Sequence, residues 1–207
     1  MNDLTAEYIT QEVHAAATAK GFTIKMEYSE TESNPRKMCE VSSKLVSDTT
    51  GRLSNIADIK IARDLCGNSL ERNIANYARA YGVKKSDMLI WGVYTYEHGD
   101  IALSTTPFSC SFDGACSGFI YESKKELYAE YNVKRITKKI KKKIEQRIQS
   151  ELLELEQWAN GEVGELILMK DGEEVSWLGG LYSPNVAYVT EMAVDMINDY
   201  SAQECAA

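Results

Sequence analysis

The chain has 207 residues, of which 44% are hydrophobic and 26% are charged, a composition typical of a globular protein rather than a disordered one. No stretch approaches the ~20 consecutive apolar residues of a membrane-spanning helix, and the amino-terminal segment lacks the apolar run of a secretory signal. The formal net charge of −8 disfavours a general nucleic-acid binder and favours basic partners.

The cysteines predict a reducing compartment. The chain has five, an odd number, and they lie scattered at Cys39, Cys66, Cys110, Cys116 and Cys205. A disulfide framework favours an even number in a short secreted chain. We therefore expect a reduced protein in the cytoplasm of its host cell, without membrane association.

The charge is unevenly distributed along the chain. Residues 134–143 contain seven Lys or Arg and no acidic residue. Outside this segment, 16 basic residues face 31 acidic ones. The sequence thus predicts an acidic body that carries one basic band.

The amino-terminal part begins with a helix and a strand. Apolar periodicity predicts a helix over residues 5–20, which Gly21 ends, and a strand over 22–28. The polar stretch 29–37, which contains Pro35, predicts a loop.

The next elements are less regular. Residues 38–45 predict a second strand, whereas residues 56–65 fit either a helix or a strand. Asn68 and Glu71 form a capping-box pattern, because the Asn side chain can accept an amide hydrogen bond from the first turn. The helix behind it ends at Gly82.

A hairpin and a short helix follow. Residues 88–96 and 101–106 predict two strands joined by a turn, and 117–121 predicts a third strand. Ser123 and Glu126 form a second capping-box pattern at the start of a short helix.

The carboxyl-terminal part has the clearest signals. Apolar residues recur every four positions over 136–159, which predicts a long helix whose apolar stripe rotates around its axis. Strands over 163–170 and 174–181 flank Asp171-Gly172, a strong hairpin signal. Pro184 suits the first turn of a last helix, and we expect residues 201–207 to be frayed.

These elements predict an α+β fold. We expect an antiparallel sheet of hairpins packed against the long helix and the carboxyl-terminal helix, with an amino-terminal helix–strand segment. The expected division is residues 1–87 as an amino-terminal α/β segment, 88–200 as a carboxyl-terminal α+β module and 201–207 as a tail. Three tryptophans, Trp91, Trp158 and Trp177, are predicted to be core residues.

Catalytic and metal patterns are weak. Cys110 could be a nucleophile with His98 as its base, but the sequence fixes no third group to orient the base. The favoured alternative is a purely structural one, in which the cysteine is a small buried residue and the histidine is solvated. A metal site of His98, Cys110, Asp113 and Cys116 lacks the paired C-x-x-C spacing of structural zinc sites. We therefore predict no cofactor and no metal, and the chain is more an interaction protein than an enzyme.

Two charged regions are candidate binding surfaces. The basic band could hold phosphates, and cations at a helix start oppose the helix dipole, which makes the band unlike an ordinary charged face. Acidic arrays can occupy a site built for nucleic acid, because they meet the same Lys and Arg. The alternatives are a solvated helix face and simple solubility. The basic candidates are Lys138, Lys139, Lys142 and Lys143, and the acidic ones are Glu27, Glu30, Glu32, Glu145, Glu151 and Glu154.

The stretch 88–182 resembles an uncharacterised family of phage- and plasmid-encoded proteins. The shared text lies at 104–110 (STTPFSC), 118–121 (GFIY), 131–139 (YNVKRITKK), 158–163 (WANGEV), 171–174 (DGEE) and Trp177. This chain has Ser111-Phe112-Asp113 where relatives often have Pro-Trp-Asp, lacks their aromatic in 163–165, and has Ser176 where they tend to have Cys. The resemblance therefore implies no two-cysteine site and assigns no catalytic residue.

The resemblance implies a biological context. Small accessory proteins of phages and plasmids often act against host defence systems. An acidic protein without visible chemistry fits a non-enzymatic inhibitor, of anti-CRISPR or antirestriction type, that binds a basic nucleic-acid-binding surface of a host defence complex. The alternatives are a nucleic-acid-associated protein that uses the basic helix 134–143, and a cysteine-dependent enzyme at Cys110.

Overall fold

The amino-terminal and carboxyl-terminal segments of the chain belong to one unit, and the middle of the chain forms another. The structure is a computed structural model that describes residues 3–30, 33–38, 41–47, 51–61, 70–109, 114–182 and 184–206. Met1–Ser33 and Gly161–Ala207 form one unit, here called the terminal unit, and Asn34–Asn160 form the other, here called the central unit. Both contain helices and sheets, so the predicted α+β class is confirmed.

The terminal unit is a three-stranded antiparallel sheet with helices. The strands are β1 (Phe22–Tyr28), β7 (Gly164–Lys170) and β8 (Glu173–Leu181), in the order β1-β7-β8. The helices are α1 (Thr5–Tyr8), α2 (Gln11–Ala19) and α8 (Val186–Ala206).

One face of this sheet forms the core of the terminal unit. Alternate residues of β1 and β7, such as Ile24 and Leu168, are fully buried, as the two-residue period of a strand requires. Val189, Ala193 and Ile197 of α8 recur every four residues and pack in the same cluster. The sheet is therefore covered on this face by the helices.

The hairpin predicted at Asp171-Gly172 is confirmed. Both residues have positive φ, at 52° and 87°, and they join β7 to β8. Two consecutive residues with positive φ define the type I′ turn, which matches the twist of paired strands.

The helices of the terminal unit differ from the prediction at three points. The helix expected over 5–20 is interrupted, because Thr10 is extended and its hydroxyl accepts a hydrogen bond from the amide of Val13, so a new helix starts there. Pro184 precedes α8 instead of lying in its first turn, and the side chain of Asn185 caps the helix by accepting from the amide of Tyr188. The tail expected to fray continues α8 as far as Ala206.

The central unit contains a five-stranded mixed sheet in the order β3-β2-β6-β4-β5. Only β2 and β3 are parallel among the paired strands that the structure describes in this sheet. The strands are β2 (Lys44–Ser47), β3 (Ile59–Lys60), β4 (Met88–His98), β5 (Asp100–Ser104) and β6 (Gly114–Ser123). The helices are α3 (Pro35–Met38), α4 (Leu53–Ile56), α5 (Leu70–Tyr81), α6 (Lys124–Glu130) and α7 (Lys138–Asn160), with a 3₁₀ turn at Lys85–Asp87.

Two helices contribute to two separate cores in the central unit. Ile144, Ile148, Leu152 and Leu155 of α7 pack with sheet residues such as Ile120. Ile74 and Tyr77 of α5 pack with Phe119, the neighbour of Ile120 on β6. Because neighbouring residues of a strand point to opposite faces, α7 and α5 lie on the two sides of this sheet.

The tertiary arrangement corrects several local predictions. The boundary expected at 87/88 does not coincide with the division between the units. The structure has two sheets where one was expected, and α7 and α8 pack on different sheets. The strand expected at 38–45 is displaced to Lys44–Ser47, after the helix α3 that occupies part of the expected loop. Ser123 is the cap of α6, but its side chain makes no capping hydrogen bond. Asn68 lies outside the described residues.

Candidate functional site

The two units differ strongly in charge. The terminal unit contains 15 Asp and Glu against three Lys, a formal charge of −12 over 80 residues. The central unit contains 16 Asp and Glu against 20 Lys and Arg, or +4. Most of the net negative charge and the basic band predicted from the sequence thus belong to different units.

The sheet of the terminal unit presents a polar, acidic face opposite its core. Glu27 of β1 is paired with Glu165 of β7, and Met169 is paired with Glu174 of β8. Glu165 and Glu174 line a shallow depression of about 200 Å³ together with Ile167. Carboxylates therefore lie around a small apolar centre on this face, which also carries Lys25, opposite Ile167.

Trp177 lies beside this depression and is 60% exposed. The prediction that it is a core residue is wrong. The large apolar ring was assigned to the core from its residue type alone, whereas it lies on β8 at the edge of the sheet. Trp91 is buried and Trp158 packs partly against the core of the central unit.

A groove of about 360 Å³ runs between β8 and α8. Val175, Met192, Met196 and Tyr200 supply its apolar part. Asp195 and Asp199 also line it, one helical turn apart. Neither aspartate belongs to the predicted acidic candidates, although their four-residue spacing on a predicted helix places them on one face.

The predicted acidic candidates have different environments. Glu30 and Glu154 are exposed, whereas Glu27 and Glu145 are half-buried. Although Glu154 as a whole residue is exposed, partial desolvation by neighbouring atoms raises the pKa of its carboxyl, and the charge of Glu151 adds to the increase. Glu32 lies outside the described residues.

Glu151 is not a solvent-facing acid, because it belongs to a network around the buried Arg36. The Arg36 guanidinium donates to both carboxylate oxygens of Asp58 and, at 3.1 Å, to Oε2 of Glu151. It also donates to the backbone and hydroxyl oxygens of Ser43, and that hydroxyl makes a short hydrogen bond to Glu151. Arg36 thereby joins α3, the start of β2 and α7.

A second ion cluster joins β6, α6 and α7. Arg147 donates to Glu122 and to Glu130, each at 2.6 Å. The side chain of Glu122 is 1% exposed, and burial raises its pKa although the Arg147 charge opposes the increase. Among the residues that the structure describes, Oε1 of Glu122 and Nε of Arg147 have no hydrogen-bond partner, although both atoms are buried. The cluster ties helices to the sheet.

The predicted basic band lies on the surface of the central unit. Lys138, Lys139, Lys142 and Lys143 are all exposed at the start of α7. At 100° per residue, their directions fall within an arc of roughly 140°, away from the buried Ile144. They thus share one broad face of the helix.

The cysteine and metal hypotheses gain no support from geometry. Cys110 and Asp113 lie outside the described residues, and His98 is exposed at the end of β4. Partial desolvation raises the pKa of the Cys116 thiol, which lowers its thiolate fraction. Within the ranges that the structure describes, no group of three or more His, Cys, Asp or Glu could hold a metal ion.

No helix in the described part of the chain is both long and apolar enough to cross a membrane.

Comparisons with protein-family models, with curated proteins and with solved structures found no match. The resemblance to the phage- and plasmid-encoded family therefore stays a prediction.

Proposed function

We propose that this chain is a non-enzymatic anti-defence protein whose terminal unit binds a basic, nucleic-acid-binding surface of a host defence complex. The observation that carries the proposal is the formal charge of −12 on an 80-residue unit, in contrast to +4 on the central unit. Such segregation gives one part of the molecule a strong negative potential that attracts cationic surfaces.

The acidic sheet face suits this role better than a diffuse charge would. Glu27, Glu165 and Glu174 lie on adjacent strands, which are ~4.8 Å apart. Carboxylates at such separations can meet the Lys and Arg side chains that otherwise bind phosphates. The exposed Trp177 adds an aromatic anchor, a residue type enriched in the energetic centres of interfaces.

The resemblance suggests the partner class. Accessory proteins of mobile elements meet host nucleases that bind DNA through basic channels, and an acidic protein can compete for such a channel. Anti-CRISPR and antirestriction inhibitors are the types proposed, and the location is the host cytoplasm.

The test is a titration of the purified protein against CRISPR effector and restriction complexes, with and without their DNA. We expect binding that weakens with salt and is displaced by DNA, because both ligands use the same cationic surface. Replacing Glu27, Glu165 and Glu174 with Gln should weaken binding at least tenfold, since each interfacial charge pair is worth about 1 kcal/mol.

The matched control replaces three exposed carboxylates of the central unit with the corresponding amides: Glu71→Gln, Asp100→Asn and Glu126→Gln. This variant loses the same charge and should bind nearly as the parent does. Absence of binding to every complex, or binding indifferent to salt and to both triple substitutions, would contradict the proposal.

A second candidate function is nucleic-acid binding through the lysine face of α7. The observation that favours it is that Lys138 and Lys142, and likewise Lys139 and Lys143, are exposed at i, i+4 spacing near a helix start. Such like-charge pairs are unfavourable in an isolated helix by about 0.2–0.5 kcal/mol each, and the helix dipole opposes them as well. A phosphate ligand would relieve this repulsion.

Gel-shift titration with DNA and RNA separates the two candidates. If the lysine face binds nucleic acid, changing Lys139, Lys142 and Lys143 to Glu should abolish a salt-dependent shift. Changing the exposed Lys44, Lys84 and Lys85 to Glu is the control and should preserve it. No shift with the unaltered protein removes this candidate. The cysteine-dependent activity stays a prediction that unchanged biological activity of Cys110→Ser would remove.

A further inference from the structure

The edge strands of the two sheets differ in whether other groups of the chain occupy their outward-facing backbone amides and carbonyls. At the outer edge of β1, the amide of Leu4 donates to the carbonyl of Met26 at 2.8 Å. At the outer edge of β5, Asn160 exchanges two hydrogen bonds with the backbone of Ile101, and Glu156 accepts from the amide of Leu103. Both edges are thereby closed to a further strand.

The outer edge of β8 is not closed in this way. Within the part of the chain that the structure describes, β8 pairs with β7 alone. Natural edge strands are commonly protected by charged residues or proline, but residues 175–178 of β8 read Val-Ser-Trp-Leu. Leu178 is 36% exposed. The centre of this edge therefore has no charged residue to discourage pairing.

The register shows which backbone groups point outward from β8. The amide and carbonyl of Met26 bond to Thr5 and Leu4, so they point away from β7. In an antiparallel sheet, the amide and carbonyl of successive residues along a strand point to opposite sides of that strand. Two directly opposed residues point their amides and carbonyls either toward each other or away from each other. Met26 opposes Leu166, and the next pair is Ile167 with Trp177, so the amide and carbonyl of Trp177 point away from β7.

Beside this edge lies the groove between β8 and α8. Its apolar part can cover aliphatic side-chain stems, and Asp195 and Asp199 can receive cationic heads. The two aspartates are four residues apart, or about 6 Å along the helix. Alternate side chains of an extended strand are about 6.8 Å apart on the same face. Basic residues at alternate positions of a strand therefore match the two carboxylates.

We infer that the outer edge of β8 accepts an extended, basic segment of a partner protein as a fourth strand, with Lys or Arg side chains lying in the groove toward Asp195 and Asp199. The basic character of the partner rests on the proposed function. The inference adds that the partner contributes an extended strand. Backbone hydrogen bonds at Trp177 would supply affinity, and the groove would supply specificity, as in other strand-addition complexes.

The charge of the terminal unit favours a basic segment over a second copy of the chain as the strand that pairs with β8. Pairing two β8 edges would bring together two units of −12 each, which repel one another. A basic segment neutralises this charge instead.

A seven-residue peptide with Arg at positions two, four and six and Val or Thr between them is the probe. We expect it to bind, to weaken with salt and to slow hydrogen exchange at the Trp177 amide. A peptide of the same composition with its three Arg contiguous should bind at least several-fold more weakly, because consecutive side chains alternate between faces. N-methylation of the peptide residues whose amides point toward β8 should abolish binding. N-methylation of the peptide residues whose amides point away from β8 should preserve it.

The protein variants test the groove. Asp195→Asn with Asp199→Asn should weaken the alternating peptide about tenfold, since two charge pairs are lost. Glu12→Gln with Glu162→Gln removes the same charge from the same unit at exposed positions outside the groove, and should leave binding within about twofold. Equal effects of both pairs, equal binding of both peptides or no protection at Trp177 would each overturn the inference. So would a concentration-dependent dimer that protects the same amide.

The failure of this inference is distinguishable from failure of the proposed function. If the sheet-face triple substitution abolishes binding to a defence complex while the Asp195/Asp199 pair leaves it unchanged, the inference fails and the proposed function stands. If no defence complex binds but the alternating peptide does so as described, the partner class is wrong and the strand-addition site remains.

Discussion

At the scale of single residues, Arg36 is the most densely bonded side chain described in the central unit. Its side chain is 2% exposed, and its partners, Asp58 and Glu151, are themselves 20% and 12% exposed. The planar guanidinium has five donors in a fixed fork, which allows it to serve two carboxylates and Ser43 at once. A lysine could supply the charge but not this geometry.

Replacing Arg36 with Ala should lower the free energy of unfolding by about 3–5 kcal/mol, because Asp58 and Glu151 would remain largely buried without a cation. The free energy of unfolding of Arg36→Lys should lie between that of Arg36→Ala and that of the parent. The control is Arg79→Ala, an exposed arginine on α5, which should change stability by less than about 0.5 kcal/mol. Urea unfolding measures all three, and a loss for Arg36→Ala no larger than that for Arg79→Ala would refute the expectation.

At the scale of elements, the pairing of β2 with β6 depends on the absence of a side chain. Gly118 of β6 is directly opposed to Ser47 of β2. A Cβ at Gly118 would lie 2.2 Å from the carbonyl oxygen of Val46, a backbone atom that cannot move without disturbing the strand. The close approach explains why this position on a central strand holds glycine.

Gly118→Ala should therefore destabilise the protein by about 1–3 kcal/mol and lower its Tm by several degrees. Gly164→Ala is the matched control, because its Cβ would meet the flexible end of Met26 at 2.7 Å. We expect that methionine to rotate, at a smaller cost. Thermal unfolding followed by circular dichroism compares the two variants, and an equal fall in Tm for Gly164→Ala would contradict the expectation.

At the scale of the whole molecule, the two units differ in how the chain builds them. The central unit is continuous, and its two cores draw only on residues between 34 and 160. The terminal unit is discontinuous, because β1 pairs with β7, so Tyr28 lies opposite Gly164. Closing such a long loop has an entropic cost that must be offset by the sheet and its core.

A fragment of residues 34–160 should fold alone and show a cooperative urea transition, because it contains every strand of the five-stranded sheet and the long helix α7. A fragment of residues 1–87 should show no such transition, because it separates β1 from β7 and β2 from β6. Circular dichroism during urea titration checks both. The reverse outcome, a cooperative 1–87 fragment and an unfolded 34–160 fragment, would restore the boundary predicted from the sequence.

The elements that the sequence determined by itself are those with a complete local signal. The strand over 22–28, the turn at Asp171-Gly172 and the body of the long helix are all found where they were predicted. Each depends on interactions between residues a few positions apart, such as strand alternation, the positive φ of a turn or the helical repeat. The interruption at Thr10 was missed because the apolar spacing of Ile9 and Val13 continues across it, although a threonine that accepts from the amide three residues on is itself a helix-start signal.

Only the tertiary structure decided which surfaces the candidate sites share. The sequence showed many acidic residues, but the fold gathered the two chain ends into one strongly acidic unit. It placed Glu151 against Arg36, 115 positions away, and left Trp177 at an exposed edge beside Asp195 and Asp199. Pairings over such separations are selected by packing and burial across the whole chain, which no local pattern of residues encodes.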